Sequence, residues 1–405
     1  MRAPHVVIVI ANLPVARDRR VQREAASLRA AGARVTVICP ADPERRALPE
    51  ELADLTVIPY RLPFAGSGAL SFALEFAWSF VAVAGVLARL RLQDRYDGVQ
   101  YCNPPDVFWP LMYAGRLGGV PQVFDHHDLS PEVYAARGPG ANPAIVRVLR
   151  WLERRSLRAA SGVVCTNESF REMARTRGGR ADDRVVVVRN GPLSSEVLPT
   201  AGACTDNGHR HRVVYLGVMG AQDGVDAAVH MAALLAERTD VEAEVVFVGD
   251  GECRPALEKL VAELGIAGTT RFAGWLDGAG VARELAAACV GVQPDPPSPL
   301  ASLSTMAKTV EYLSHGVPVV AVDLLETRRS AADAAVYVPA GSARELADAV
   351  AALLADPAAR ERMSAAGQQR ARAELSWDHQ AQRYVALFRR LLARGPAPLP
   401  EGAPR

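Results

Sequence analysis

Short β-branched runs alternate with longer helical patterns along this chain, and the alternation occurs twice, which leaves few architectures open. It marks βαβ units and parallel sheets covered on both faces. In the first half the strand candidates are His5–Ile10, Arg34–Cys39, Leu55–Ile58, Val99–Cys102, Gln122–His126, Gly162–Thr166 and Val185–Arg189. In the second they are Arg212–Leu216, Ala243–Val248, Thr270–Phe272, Val290–Gln293, Val317–Val322 and Val336–Val338. Between the sets lies PLSSEVLPTAGACTDNGHRHR, whose Pro, Gly, Ser and Asn content and missing periodicity read as a linker. A chain of 405 residues also exceeds what one core usually supports. The expectation is an α/β protein of two doubly wound domains, 1–190 and 212–375, joined by the linker 191–211. Helical patterns follow at Glu345–Leu354, Pro357–Glu374 and Asp378–Leu392, and the Pro- and Gly-rich residues 395–405 read as a disordered tail.

Charge excludes one class of function. With 46 basic and 45 acidic side chains, no long-range field recruits nucleic acid. The six cysteines (Cys39, Cys102, Cys165, Cys204, Cys253, Cys289) show no C-x-x-C pair and read as reduced thiols, with no metal site. HVVIVIAN near the N-terminus is too short an apolar run for a signal peptide, so a cytoplasmic location is expected. Leu70 to Leu87 is apolar apart from Glu75 and scattered serines. Ser71, Glu75, Ser79, Ala82, Arg89 and Gln93 recur at helical spacing, so the segment reads as an amphipathic helix packed on the first domain, with peripheral membrane contact through 70–90 as an alternative and a span as a third.

In open parallel sheets ligands bind beyond the carboxyl ends of the strands. After the first strand, Ala11-Asn12-Leu13-Pro14 lacks G-x-G-x-x-G, which disfavours a dinucleotide site there. Arg17 either reaches an anionic ligand or pairs with Asp18 and solvent. In Asp125-His126-His127-Asp128, a metal site is one alternative, but neighbouring residues point to opposite sides, so one His faces the ligand side, binding substrate or held structurally by an Asp. Asn103-Pro104-Pro105-Asp106 reads as turn chemistry. In the second domain Gly217 and Gly220 follow one strand, Gly249 another, and Gly274-Trp275 a third, positions where backbone can approach a ligand.

The most informative stretch runs from Pro294 to Val320. A strand ends at Gln293, a Pro-rich loop crosses its tip, and a helix is expected to open near Thr305 and stop at Gly316. Amides around Ser304, Thr305 and Met306 would form an anion cradle, with Lys308 one turn in as a charge for a diphosphate. Glu311, on roughly the same face, can accept both hydroxyls of a ribose. An ordinary i,i+3 Lys/Glu pair is the plain alternative.

These residues carry a resemblance. STMAKTVEYLSHGVPVVAVD is similar to the K-x-x-E-Y…G-x-P-V-V block of glycosyltransferase family 4, the retaining nucleotide-sugar transferases of GT-B fold. RRVQREAASLRAAGARVTVIC, DHHDLSPE, VVVVRNGP, YLGVMGAQDGVD, VVFVGDGE and RFAGW match in the family's order over nearly the whole chain. The resemblance implies two Rossmann-like domains facing a central cleft, with a C-terminal helix (376–394) crossing back to the first. It implies a metal-independent retaining transfer from a nucleoside-diphosphate sugar, most simply a UDP-sugar, with no other cofactor. The acceptor would be a small molecule or a lipid-linked one, in surface-polysaccharide or specialised-metabolite synthesis. By the same resemblance Glu311 binds ribose, Lys308 and the 304–306 amides the diphosphate, Gly274-Trp275 the base, and His127 the donor sugar. The chain departs from the family where a Glu is usual, at Leu303, leaving Asp295 or backbone for the sugar contact. It departs again at Val218 and Asp223, where Arg and Lys are common. A nucleotide-sugar epimerase or a non-catalytic sugar-nucleotide binding protein on the same fold are the rival functions.

Overall fold

The computed structural model describes residues 2–63, 69–136, 140–197, 210–339, 342–393 and 399. They form two compact units, Met1–Asn190 with Asp378–Arg405, and Gly191–Trp377.

In unit 1, short apolar runs, buried on both faces except at the partly exposed edge strand β3, give β1 (His5–Val9), β2 (Arg34–Pro40), β3 (Thr56–Tyr60), β4 (Gly98–Cys102), β5 (Gln122–His126), β6 (Gly162–Cys165) and β7 (Val185–Val187). All pair in parallel, in the order β3-β2-β1-β4-β5-β6-β7. The helices are α1 (Arg19–Ala30), α2 (Ala69–Gln93), α3 (Trp109–Leu117), α4 (Ser130–Ala135), α5 (Pro143–Ala159) and α6 (Glu168–Gly178). Side-chain caps start three of them: Asp18 accepts from the Val21 amide at 3.0 Å, Asn142 from the Ala144 amide at 2.9 Å, and Asn167 from the Phe170 amide at 2.8 Å.

Unit 2 repeats the plan with β8 (His211–Leu216), β9 (Ala243–Val248), β10 (Thr270–Gly274), β11 (Val290–Gln293), β12 (Val319–Val322) and β13 (Ala335–Val338), parallel in the order β10-β9-β8-β11-β12-β13. Its helices are α7 (Val225–Ala236), α8 (Arg254–Glu263), α9 (Gly278–Ala286), α10 (Pro299–Leu303), α11 (Ala307–Ser314), α12 (Leu325–Ala331), α13 (Ala343–Leu354) and α14 (Pro357–Arg370). Each sheet reverses its winding once, between β1 and β4 and between β8 and β11, and such switch points open the crevice where ligands bind.

The last helix, α15 (Trp377–Leu392), completes unit 1. The Tyr384 hydroxyl donates to Gln100 Oε1 at 2.6 Å, and Leu387, Phe388 and Leu392 are buried. Gly98 and Gly162 make room for it: a Cβ at Gly162 would lie 3.0 Å from Leu387 and 3.1 Å from Leu391.

Four expectations change. Cys289 is disulfide-bonded, while Cys39, Cys102, Cys165 and Cys253 are free, because spacing along the chain says little about proximity in the fold. The Pro-rich loop contains helix α10, started by Pro299 and capped by Ser298, while the next helix opens near Thr305 as expected, at Ala307. In α2 only part of the polar stripe turns inward: Ser79 is buried with Val83 and Leu87, while Arg89 and Gln93 are exposed along with Leu74, Trp78 and Val81. Leu399, within the tail expected to be disordered, is buried. The rest of 395–405, and residues 198–209 of the expected linker, lie outside the described residues.

Candidate active site

In unit 2 the switch point gathers most of the expected residues. Tyr312, in α11, fills the split between β8 and β11: its ring packs on Gly291, where a Cβ would come within 2.7 Å. Its hydroxyl accepts from the Leu216 amide at 2.8 Å and lies 3.2 Å from the Val214 and Val292 carbonyl oxygens. Thr309 donates to Gln293 Oε1 at the end of β11. The start of α11 is thereby fixed against two strand tips.

Lys308, at the second position of α11, points inward. Its Nζ donates to both oxygens of Asp295, at 2.8 and 2.9 Å, and stands 5.0 Å from the centre of the Tyr215 ring. Both partners are buried. Gly217 closes over the pair, since a Cβ there would lie 3.1 Å from Lys308 Cε. Asp223 also feels Lys308; burial pushes its carboxyl up and the ammonium draws it down, with a net rise. Glu311 is exposed, and its carboxylate has no hydrogen bond or ion pair among the described residues. Lys308 and Glu311 therefore do not pair with each other, which removes the plain i,i+3 alternative.

The glycines act through their missing side chains. Gly217 (φ +149°) donates to the Val248 carbonyl, Gly249 (φ +129°) to the Gly274 carbonyl, and Gly220 to Asp223 Oδ2, so these amides are engaged within the protein. At Gly249 a Cβ would sit 1.9 Å from the Gly217 carbonyl oxygen, so the two strand tips touch backbone to backbone. Gly274 takes φ +73°, and Trp275 beyond it is 76% exposed.

The anion cradle is displaced from its expected place. The Ser304 amide donates to Ala301 and its hydroxyl to Leu300, both closing α10. Thr305 is half-buried between α10 and α11, and the Met306 side chain packs on the core while the residue caps α11. The first-turn amides that a helix leaves without partners belong here to Ala307 and Lys308.

In unit 1 the switch point holds a buried network that sequence reading missed. Arg20 donates to both oxygens of Asp125 at 2.9 and 2.7 Å, to the Val188 carbonyl and to Asn190, and lies 3.3 Å from Glu24. Gln100 donates to Glu24 at 2.6 Å. Glu24, Cys102 and Asp125 are grouped like metal ligands, but Arg20 already supplies the compensating charge. Burial raises Glu24 well above the usual carboxylate range. Burial opposes ionisation of Asp125 too, but the Arg20 and His127 charges outweigh it and hold its carboxyl below the usual range.

The two histidines divide as expected. His126 is buried between Phe124 and Phe170 and meets Glu153 at 3.1 Å. His127 is partly open, its Nδ1 3.1 Å from Asp125 Oδ2, and burial of the ring is outweighed by the Asp125 charge, so its pKa is raised. Asn103 positions it, accepting from the His127 and Asp128 amides at 2.8 and 3.1 Å. Arg17 stands apart at the surface, donating to Glu44 at 2.7 Å, while Asp18 caps α1 instead of pairing with it. One signal for Arg20 was present in the sequence, its i,i+4 spacing to Glu24; its 105-residue separation from Asp125 left none.

Two parallel, doubly wound units with polar groups at each switch point are the architecture of GT-B proteins. Residues 18–191 match the glycosyl transferase 4-like domain and residues 210–356 the glycosyl transferases group 1 family, and the chain belongs to this family of glycosyltransferases. It is similar to alpha-maltose-1-phosphate synthase of Mycobacterium tuberculosis, at 30% identity over 70% of this chain and 78% of that one. It is also similar to alpha-D-kanosaminyltransferase of Streptomyces kanamyceticus, at 26% identity over 72% and 78%. Its fold matches Anabaena HepE, solved in complex with UDP, with a TM-score of 0.70 at 16% identity over 95% of this chain and 98% of that one.

Proposed function

We propose that the protein transfers a sugar, with retention of anomeric configuration and without a metal, from a nucleoside-diphosphate sugar to a hydroxyl of a lipid-linked or small-molecule acceptor. The observation that carries this is the buried ammonium of Lys308 at the start of α11, with the exposed Glu311 carboxylate one turn on. Cleaving the bond from the anomeric carbon to the diphosphate places negative charge on the leaving oxygen. Lys308 and the first-turn amides of α11 stabilise that charge, while the leaving phosphate takes the acceptor proton on the attacked face. Glu311 accepts from the ribose hydroxyls, Trp275 offers a face to the base, and His127 positions the donor sugar. Lys308 exchanges Asp295 for the diphosphate when the donor enters, leaving Asp295 to face the sugar.

UDP is the preferred nucleotide because HepE was solved with UDP and with UDP-glucose. Similarity to alpha-D-kanosaminyltransferase supports a small-molecule acceptor in specialised metabolism, and the exposed apolar helix α2 supports a lipid-linked one in surface-polysaccharide synthesis. We place the enzyme in the cytoplasm, where its nucleotide-sugar donor is made; the four free thiols Cys39, Cys102, Cys165 and Cys253 agree with this and the Cys289 disulfide counts against it. The test is hydrolysis of a panel of nucleotide sugars followed by mass spectrometry of transfer products. Lys308→Ala should lower turnover by about 100-fold, at least as much as it lowers donor affinity. Unchanged turnover removes Lys308 from the mechanism, and donor isomerisation without an acceptor makes the enzyme an epimerase.

A further inference from the structure

Helix α2 keeps large apolar side chains in water. Only part of its polar stripe faces the protein, with Ser79 buried beside Val83 and Leu87 and Glu75 half-buried. Leu74, Trp78 (43% exposed) and Val81 (63% exposed) follow one another at helical spacing on the outer side. A water-soluble helix does the reverse.

The exposed face continues across two neighbours. Phe80 of α2 stacks on Phe108 at the start of α3 (6.4 Å), and Arg91 donates to the Gly118 carbonyl at its end. Trp109 of α3 meets Trp151 of α5 edge-on at 5.7 Å, with the Arg155 guanidinium 4.9 Å over the Trp109 ring. Along α5, Arg147, Arg150, Arg154 and Arg158 are exposed with Val148 and Trp151, and the one acid of the helix, Glu153, is buried against His126 and Arg177. Arg89 and Arg95 add exposed positive charge at the end of α2.

We propose that this face, α2 with α3 and α5, is a docking surface for an anionic lipid bilayer. Apolar and aromatic side chains enter the headgroup boundary and the arginines meet lipid phosphates. By length and composition α2 could cross a membrane. Topology forbids it: β3 and β4, the strands it joins, lie in one sheet, and a span would put them on opposite sides of the bilayer. A second copy of the chain is the poorer occupant, since a two-fold contact would set one arginine-rich face against another.

Docking does not depend on the transfer chemistry proposed above, and its test uses no substrate. The full chain is sedimented with vesicles of phosphatidylcholine alone and of phosphatidylcholine with 30% phosphatidylglycerol. Binding is expected to the anionic vesicles, falling as salt rises, and to be at least about tenfold weaker for neutral ones. Leu74→Glu with Val81→Glu should abolish it, and Arg147→Ser with Arg154→Ser should weaken it by about tenfold or more. Both pairs replace exposed side chains, and unchanged circular dichroism and melting temperature establish that the variants fold. An equal soluble fraction with and without anionic vesicles overturns the proposal. So does a concentration-dependent dimer lost in the Leu74→Glu, Val81→Glu variant while vesicles go unbound.

Discussion

Asp295 holds the Lys308 ammonium with both carboxylate oxygens, at 2.8 and 2.9 Å, in a place where neither charge meets bulk water. A buried pair of this kind is costly to break from one side, because the remaining charge stays buried without a partner. Asp295→Asn should destabilise the free protein by about 3 kcal/mol. UDP, supplying a new anion, should then raise its melting temperature more than that of the unaltered protein. Thermal melting with and without UDP checks both; an equal UDP-induced rise in the two proteins would mean that the diphosphate does not replace Asp295.

Glu311 is the opposite case, an exposed carboxylate whose removal leaves nothing buried behind. Glu311→Gln should change stability by no more than about 0.5 kcal/mol. The same change should cost about 2 kcal/mol of nucleotide binding if the carboxylate accepts from ribose, roughly a thirtyfold rise in Kd by calorimetry. Parallel titration with a 2′,3′-dideoxy nucleotide should show little difference between the two proteins.

The pairing of His127 with Asp125 makes stability depend on pH. A histidine whose pKa is raised on folding contributes stability that is complete below its unfolded value, about 6.5, and fades as pH rises through its folded value. His127→Gln should therefore be less stable than the unaltered protein at pH 6, with the gap narrowing toward pH 9. Urea midpoints at the two pH values measure it, and a gap that does not change with pH assigns the loss to packing.

Gly249 tests the contact between strand tips. Gly249→Ala combines a strained φ of +129° with a Cβ 1.9 Å from the Gly217 carbonyl, and should cost at least about 3 kcal/mol. Gly265→Ala is the control: φ is +69°, nothing lies within 4 Å of the added carbon, and the cost should be about 1 kcal/mol. Chemical denaturation of both separates backbone strain from collision.

How much was legible follows the range of the forces. The strands were readable because a strand buried on both faces must be a β-branched run, as His5–Val9 and Val319–Val322 are. The placement of Lys308 and Glu311 on one helix beyond a strand tip was readable because strand end, helix start and glycine stop lie in one continuous stretch. The Asp295–Lys308 pair was not, since α10 intervenes and a Pro-rich stretch gives little warning that it folds into a helix. Nor was the Arg20–Asp125 pair, made between a helix and a strand distant in sequence. The inward turn of Glu75 and Ser79 in α2 was hidden for another reason. Periodicity reports that a helix has two faces, and it does not report which one the sheet will cover.

The return of α15 to unit 1 bears on how the polypeptide is made. Gln100 leaves the ribosome long before Tyr384, its partner, and the sheet positions at Gly98 and Gly162 that receive Leu387, Leu391 and Leu392 stay uncovered in the meantime. Unit 2 is contiguous in sequence and has everything it needs earlier. Synthesis at about 5–20 residues per second therefore favours an inverted order of maturation, in which the half translated first is the last to close.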